Sequence, residues 1–467
     1  MRELGVGLVY WSALARLFES REAAVLELEP QALWTKTASA QGFVYRLNEP
    51  LFESIACFPQ AKLMHGVGQP VGGTVDDPIE HLALLRRMAE RLRPAWVSEH
   101  LSFNRVRRGE RVSECGFLLP PRQSSAAVRV AADKLRRYRK ALGCRVAFET
   151  GVNYLRRGND EIDDGEFFHA VAEQADSGIL LDLHNLWCNQ RNGRQNLDDV
   201  LAQMPLDRVW EVHLAGGMAL DGYWLDAHSD GVPSPLLELA AQIIPLLPNV
   251  SALIFEVLPE HLANLGLDGV QRQLEALRAL WNTRLPRRLT VPNPKCRLPV
   301  VRPSATDCVE VHAWEIALSD ALNGDTRLPL SNDPGCALLR RLIGDLRSAN
   351  LTKGLRFTIT ALLADLGASA TERLLAQYFH NTPPDAFVAA EAHQFARFLS
   401  CQSSLLEAVP YLTEILAFEK ALLAATLYGE TTELHWTADP THLLDELNAG
   451  RLPRALPHSV SRMTVTA

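Results

Sequence analysis

A chain of 467 residues, 47% of them hydrophobic and 22% charged, is long enough for two domains and a large buried core. Its formal charge of −8, with basic clusters scattered at 91–94, 105–111, 134–140 and 286–288, excludes the basic stripe of a nucleic-acid-binding surface. No apolar run reaches the length of a membrane span, no secretory signal is expected at the N-terminus, and eight dispersed cysteines without a CxxC pair point to reduced thiols in a cytoplasmic protein.

Eight short β-rich apolar runs follow one another at 4–10, 23–29, 61–68, 95–103, 145–151, 178–186, 208–217 and 251–258. Helical periodicity fills several of the gaps, at 78–92, 125–142, 166–175, 236–247 and 270–281. Strands alternating with helices predict βαβ units and a parallel sheet. Eight such strands in this length predict an α/β fold, a closed (β/α)8 TIM barrel over residues 1–285. The Pro- and Arg-rich stretch 286–304 is expected to be a linker. Beyond it the pattern is helical at 309–322, 334–347, 355–367, 370–381, 385–401 and 411–429. A smaller, mainly α-helical domain is therefore expected over 305–455, with a frayed tail at 456–467.

Most of the barrel runs end in polar groups able to bind a metal. His65 closes the third, Glu99 and His100 the fourth, and Glu149 the fifth. Asp182, His184 and Asn185 close the sixth, Glu211 and His213 the seventh, and Glu256 the eighth. The loop "GYWLDAHSDG" adds Asp226 and His228. Each has an ordinary reading alone: a strand end above a glycine turn, a helix-start acid, a loop cap. Strand C-termini of such a barrel, however, converge on one face, where catalysis sits. Histidine with Asp and Glu, without thiolates, is the ligand set of Zn, Mn and Fe. Candidate ligands are thus His65, His100, Glu149, Asp182, Asn185, His213, Asp226, His228 and Glu256. Glu99, His184 and Glu211 either bind directly or hold the ligand imidazoles. So many buried carboxylates around one ion would repel one another, which favours two or three ions, bridged by acids such as Glu149 and Asp182. His261, His312, His380, His393, His435 and His442 show no clustering and are expected to be structural.

The segments "HGVG" (65–68), "SEHLSF" (98–103), "FETGVNYL" (148–155), "LLDLHNLWCN" (180–189), "EVHLAGG" (211–217), "LDAHSD" (225–230) and "FEV" (255–257) occur in order. Together they resemble the multinuclear non-haem iron-dependent oxidases, the family that contains the oxidase of methanobactin biosynthesis. The resemblance covers residues 1 to about 285. It implies a TIM barrel with two or three irons that uses O2 as co-substrate to modify a residue, often cysteine, of a ribosomally made precursor peptide. By motif it also implies ligand roles for His65, His100, Glu149, Asp182, His213, Asp226, His228 and Glu256. Two departures stand out: His184 where the family commonly has Asn, and "FETGVN" for its usual ENV. "HQFARFLSC" and "PYLTEILAFEKALLAA" loosely resemble the partner proteins that engage the peptide's leader, which implies a fused peptide-recognition domain. Two rival readings are a redox-neutral divalent-metal enzyme of sugar isomerase or hydrolase type, and a peptide-binding protein with an inert barrel.

Overall fold

The computed structural model describes residues 2–39, 42–285, 301–324 and 327–466. Eight strands form a closed barrel: β1 (Gly5–Val9), β2 (Val25–Leu28), β3 (Ala61–Gly66), β4 (Val97–His100), β5 (Val146–Glu149), β6 (Gly178–Asp182), β7 (Val209–Ala215) and β8 (Ala252–Glu256). Every neighbouring pair is parallel, and β8 pairs with β1 to close the ring. The expected TIM barrel is thus the architecture of the chain. The strands read as unbroken apolar runs because both faces are buried, against the barrel interior and against the helices.

Local chemistry sets the boundaries. Helix Ser125–Leu142 begins where the Ser124 hydroxyl accepts the Ala127 N–H, and it stops at Gly143 in the left-handed region. β6 is shorter than the run 178–186. Asp182 ends it by accepting the Asn185 N–H at 2.7 Å, which caps helix Leu183–Arg191. His184 and Asn185 therefore stand on the first turn of a helix, not on a strand.

The described residues cluster into two compact units. One takes residues 1–33, 48–112 and 118–339 and contains the barrel; the other takes 34–47, 113–117 and 340–467. Most of the expected linker, residues 286–300, lies outside the described residues. Helix Ala305–Leu322 belongs to the barrel unit, where Glu315 accepts both the backbone N–H and the hydroxyl of Thr74, and Asp307 pairs with Arg129.

The second unit is built from helices such as Arg356–Leu366, Ala368–Asn381, Val388–Ser400 and Leu412–Tyr428 around Leu362, Tyr378, Phe395, Leu412 and Trp436. The tail expected to fray is instead a strand, His458–Val465, antiparallel to Thr432–Ala438. Strand Thr432–Ala438 alternates exposed and buried residues, the pattern of a half-buried pair, so the tail has a partner edge to bind. No described helix is long and apolar enough to cross a membrane.

Candidate metal centre

The polar strand ends meet at the C-terminal mouth of the barrel. Register places His65 beside Ser98 and His100 beside Glu149. His65 Nδ1 lies 2.9 Å from Ser98 Oγ, and His100 Nδ1 lies 3.0 Å from the Gly66 carbonyl. A carbonyl only accepts, so His100 carries its proton on Nδ1 and the neutral ring offers Nε2. Both Nε2 atoms face Glu149 Oε2, at 3.1 Å from His65 and 2.8 Å from His100. That oxygen nevertheless makes no hydrogen bond among the described residues. Burial holds His65 below its usual pKa. His100 is partly buried, but Glu149 and Glu99 outweigh the desolvation and push it up to about 10. Against its own burial, Glu149 is held well below the usual carboxylate range by His100 and His65.

Two further groups follow, the first sharing Glu149 with the group above and the second sharing Asp182 with the first. Ligand atoms of Glu149, Asp182 and His213 lie within 4.8 Å of one another, as do those of Asp182, His228 and Glu256. Burial, then Glu149 and Asp226, raise Asp182 well above its usual pKa. Asn185 Nδ2 donates to Glu149 Oε1 at 2.9 Å, while Asn185 Oδ1 has no hydrogen-bond partner among the described residues. Glu256 Oε2 lies 2.9 Å from His213 Nδ1, and His228 and His213 hold it down to about 2 despite its burial.

A fourth group is His184, Asp226 and His228, and a fifth is Glu27, Glu211 and His213. Asp226 Oδ1 lies 3.0 Å from His184 Nδ1 and 2.8 Å from His228 Nε2. The Trp224 indole N–H donates to His184 Nε2 at 3.3 Å, which leaves Nδ1 as the protonated nitrogen facing Asp226. The Asp226 N–H donates to the Tyr154 hydroxyl at 3.0 Å. His228 holds φ at 45°, a left-handed conformation rare outside glycine.

Beneath His213 lies a pair of acids. Glu27 Oε2 is 2.9 Å from His213 Nε2 and Glu211 Oε1 is 3.7 Å away, while Trp96 donates its indole N–H to Glu211 Oε2 at 2.7 Å. Glu27 is fully buried, and burial and Glu211 raise its pKa. It was missing from the candidates read in the sequence, although "LELE" at 26–29 ends the second run by the same rule as the others. Glu99 stands apart from every group. It accepts the N–H of Gln69 at 3.1 Å and that of His100 at 3.3 Å, and burial pushes it up to about 8. The six histidines expected to be structural also fall in none of these groups.

The donor set suits cations. Among the described residues Glu149 Oε2, Asp182 Oδ2, Asn185 Oδ1, His213 Nε2 and His228 Nε2 are buried without a hydrogen-bond partner. Leaving such atoms unpaired costs ~1–3 kcal/mol each, and more when charged. Carboxylate oxygens and imidazole nitrogens crowded at 2.8–3.1 Å outside hydrogen-bond geometry are what a shared metal reconciles.

Fold and site together define a barrel enzyme with candidate metal-binding clusters at its mouth. The profile of the RiPP precursor modification enzymes MbnB/TglH/ChrH matches residues 46–260, a span that runs from before His65 to beyond Glu256. A UPF0276 protein of Chromobacterium violaceum is 32% identical over 225 residues, 48% of this chain and 79% of that protein. A UPF0276 protein of Anaeromyxobacter sp. is 33% identical over 236 residues, 49% of this chain and 80% of its own length. The chain belongs to the MbnB/TglH/ChrH family of RiPP-modifying enzymes. Among solved structures, D-psicose 3-epimerase from Clostridium cellulolyticum matches at TM-score 0.39 and 11% identity, over 60% of this chain and 98% of that one. A Thermus thermophilus protein soaked with ZnCl2 matches at TM-score 0.35 and 19% identity, over 59% and 98%.

Proposed function

We propose that this chain is an O2-dependent oxidase with two or three irons that modifies a residue, cysteine in our reading, of a ribosomally synthesised precursor peptide. Residues 305–455 engage that peptide in this reading. The observation that carries it is sharing: Glu149 joins the His65–His100 group to the Asp182–His213 group, and Asp182 joins that one to the His228–Glu256 group. Shared carboxylates hold neighbouring cations within one cluster rather than one cation alone.

The roles follow from the partners of each side chain. His65, His100 and Glu149 would hold one ion; Glu149, Asp182, His213 and Glu256 would hold the next. Asp226 and His228 would hold a third, and Asn185 Oδ1, next to Glu149, offers a further donor. Ser98 and the Gly66 carbonyl fix the rings of His65 and His100 so that Nε2 faces inward. His184 orients Asp226, and Trp224 sets its tautomer. Glu211 and Glu27 sit below His213, and Glu99 secures the backbone after His65. Iron in such a histidine and carboxylate set supplies O2 activation and lowers the pKa of a coordinated thiol. His65, Glu149, Asp182, His213 and Glu256 are buried, which shields that part of the cluster from bulk water.

The test is metal content per chain on protein purified without oxygen, with Mössbauer spectra on iron-57 material and O2 uptake on peptide addition. Two to three irons with spin-coupled signals and peptide-dependent O2 uptake are expected. A single Mn, Mg or Zn, with no O2 consumed, would replace the proposal with the redox-neutral reading.

A further inference from the structure

Beside the His184 group stands a cation with no anionic partner among the described residues. Trp187 and Arg191 lie four residues apart on helix Leu183–Arg191, and so on one face. The Arg191 guanidinium lies 4.7 Å from the Trp187 ring centroid and 4.4 Å from that of Trp224. The two indoles meet edge to face at 5.4 Å. Asn192 locks the second one in place: its Nδ2 donates to the Trp224 carbonyl at 2.9 Å and its Oδ1 accepts the Trp224 N–H at 2.8 Å. Gly217 makes room for this packing, since a Cβ there would lie 2.6 Å from Trp224 Nε1 and 2.6 Å from His184 Nε2.

One indole thus separates the guanidinium from His184, because the far edge of Trp224 is hydrogen-bonded to that imidazole. Arg191 is exposed, and among the described residues it forms no ion pair or hydrogen bond. A guanidinium resting against two rings has fewer rotamers to lose when a ligand arrives, and its planar fork matches a carboxylate in bidentate fashion. The neighbouring mouth is lined with acids, so an anionic substrate needs a fixed cation at its rim.

We propose that Arg191 is the carboxylate receptor of this enzyme. The peptide presents a carboxylate next to the residue being modified, and Arg191 binds it across the Trp224 indole from the His184–Asp226–His228 group. The inference rests on the peptide-modifying reading above and adds the chemistry of the anchor. Two sources share that chemistry: an Asp or Glu side chain, and the peptide's own C-terminal carboxylate.

The experiment uses iron-loaded full-length protein without oxygen and three synthetic probes, read by calorimetry. The probes are acetyl-Gly-Ala-Cys as the free acid, the same peptide as its amide, and acetyl-Ala-Cys-Asp as its amide with only the side-chain acid. At least one acidic probe should bind about tenfold or more tighter than the neutral amide, and the tighter one identifies the source. Arg191→Met keeps the aliphatic cover over the indoles but has no fork; it should retain its iron and lose that preference. Arg191→Lys keeps the charge and should recover only part of it. Equal binding of all three probes to the wild type, no binding of either acid, or a preference that survives in Arg191→Met would each overturn the proposal. O2 uptake separates the two readings. Arg191-dependent binding without O2 uptake sinks the oxidase and leaves the receptor standing; O2 uptake with Arg191-independent binding does the reverse.

Discussion

Asp182→Asn separates the two consequences of burying an acid at the barrel mouth. Asp182 is fully buried, its Oδ2 has no hydrogen-bond partner, and its ligand atom lies within 4.8 Å of those of Glu149 and His213. Two like charges at that distance repel by about 3.5 kcal/mol at an effective dielectric constant of about 20. His213 offsets part of this, which leaves a relief of about 2 kcal/mol for neutralising the acid in metal-free protein. Asparagine keeps the shape and the Oδ1 that accepts the Asn185 N–H at 2.7 Å, so the helix cap survives. At about 2–4 °C per kcal/mol, the metal-free variant should melt about 4–8 °C higher than wild type near pH 8. The sign with pH follows from the raised pKa of Asp182. The folded acid keeps its proton above the unfolded value of 3.8, so the wild type loses stability as pH rises past that value. The advantage of asparagine should therefore vanish near pH 4 and grow upward. Under the proposed function the order should reverse with metal, because a carboxylate that would hold iron is gone and at least one iron per chain should be lost. Thermal melts of chelator-treated protein from pH 4 to 8, with elemental analysis of reconstituted protein, test both halves. A metal-free variant less stable than wild type at pH 8, or an unchanged iron load, would refute the reasoning.

Trp224→Phe keeps the ring against Arg191 but removes the N–H on His184 Nε2. It should lose up to one iron per chain while the remainder stays bound, and a full iron load would exclude the orienting role. Glu315→Ala removes the acceptor of two Thr74 bonds, at 2.5 and 2.6 Å, in the loop that follows His65. A destabilisation of about 2 kcal/mol in urea melts, with faster proteolysis in 67–77, is expected. Gly178→Ala places a Cβ 2.1 Å from the Trp210 ring at the start of β6 and should cost about 1–3 kcal/mol by the same assay.

The barrel was legible because parallel strands buried on both faces leave the plainest trace a sequence can carry, an unbroken apolar run. All eight runs contain one strand each. What the runs overstate is length, since a capping side chain decides where a strand stops and apolar character does not. The run 178–186 continues into Leu183 and Leu186, but Asp182 turns the backbone into a helix. Antiparallel hairpins escaped for the opposite reason. Met218–Leu220 and Tyr223–Leu225 are too short to show a period, although Asp221 and Gly222 between them, at φ 50° and 83°, are a strong hairpin signal. The tail was misjudged because a strand's stability rests on its partner, here Thr432–Ala438, twenty residues upstream and more.

The site was legible as a list of residues, and strand parity sorts that list by depth and direction. Side chains alternate across a strand, so Ser98 and His100 share one side of β4 while Glu99 takes the other. That parity is why Ser98 touches His65, His100 faces Glu149, and Glu99 is left to the backbone N–H groups of Gln69 and His100. The same rule places Glu211 on the side of His213 but one pleat lower along β7. Glu27 pairs in register with Leu63, two residues before His65, and so lies at that lower level as well. Barrel interiors fill in such layers. An acid one layer down therefore meets the underside of His213, and Trp96 closes that layer from below through Glu211. Counting two residues back from His213 would have separated Glu211 from the upper ring, using nothing but the period of the strand.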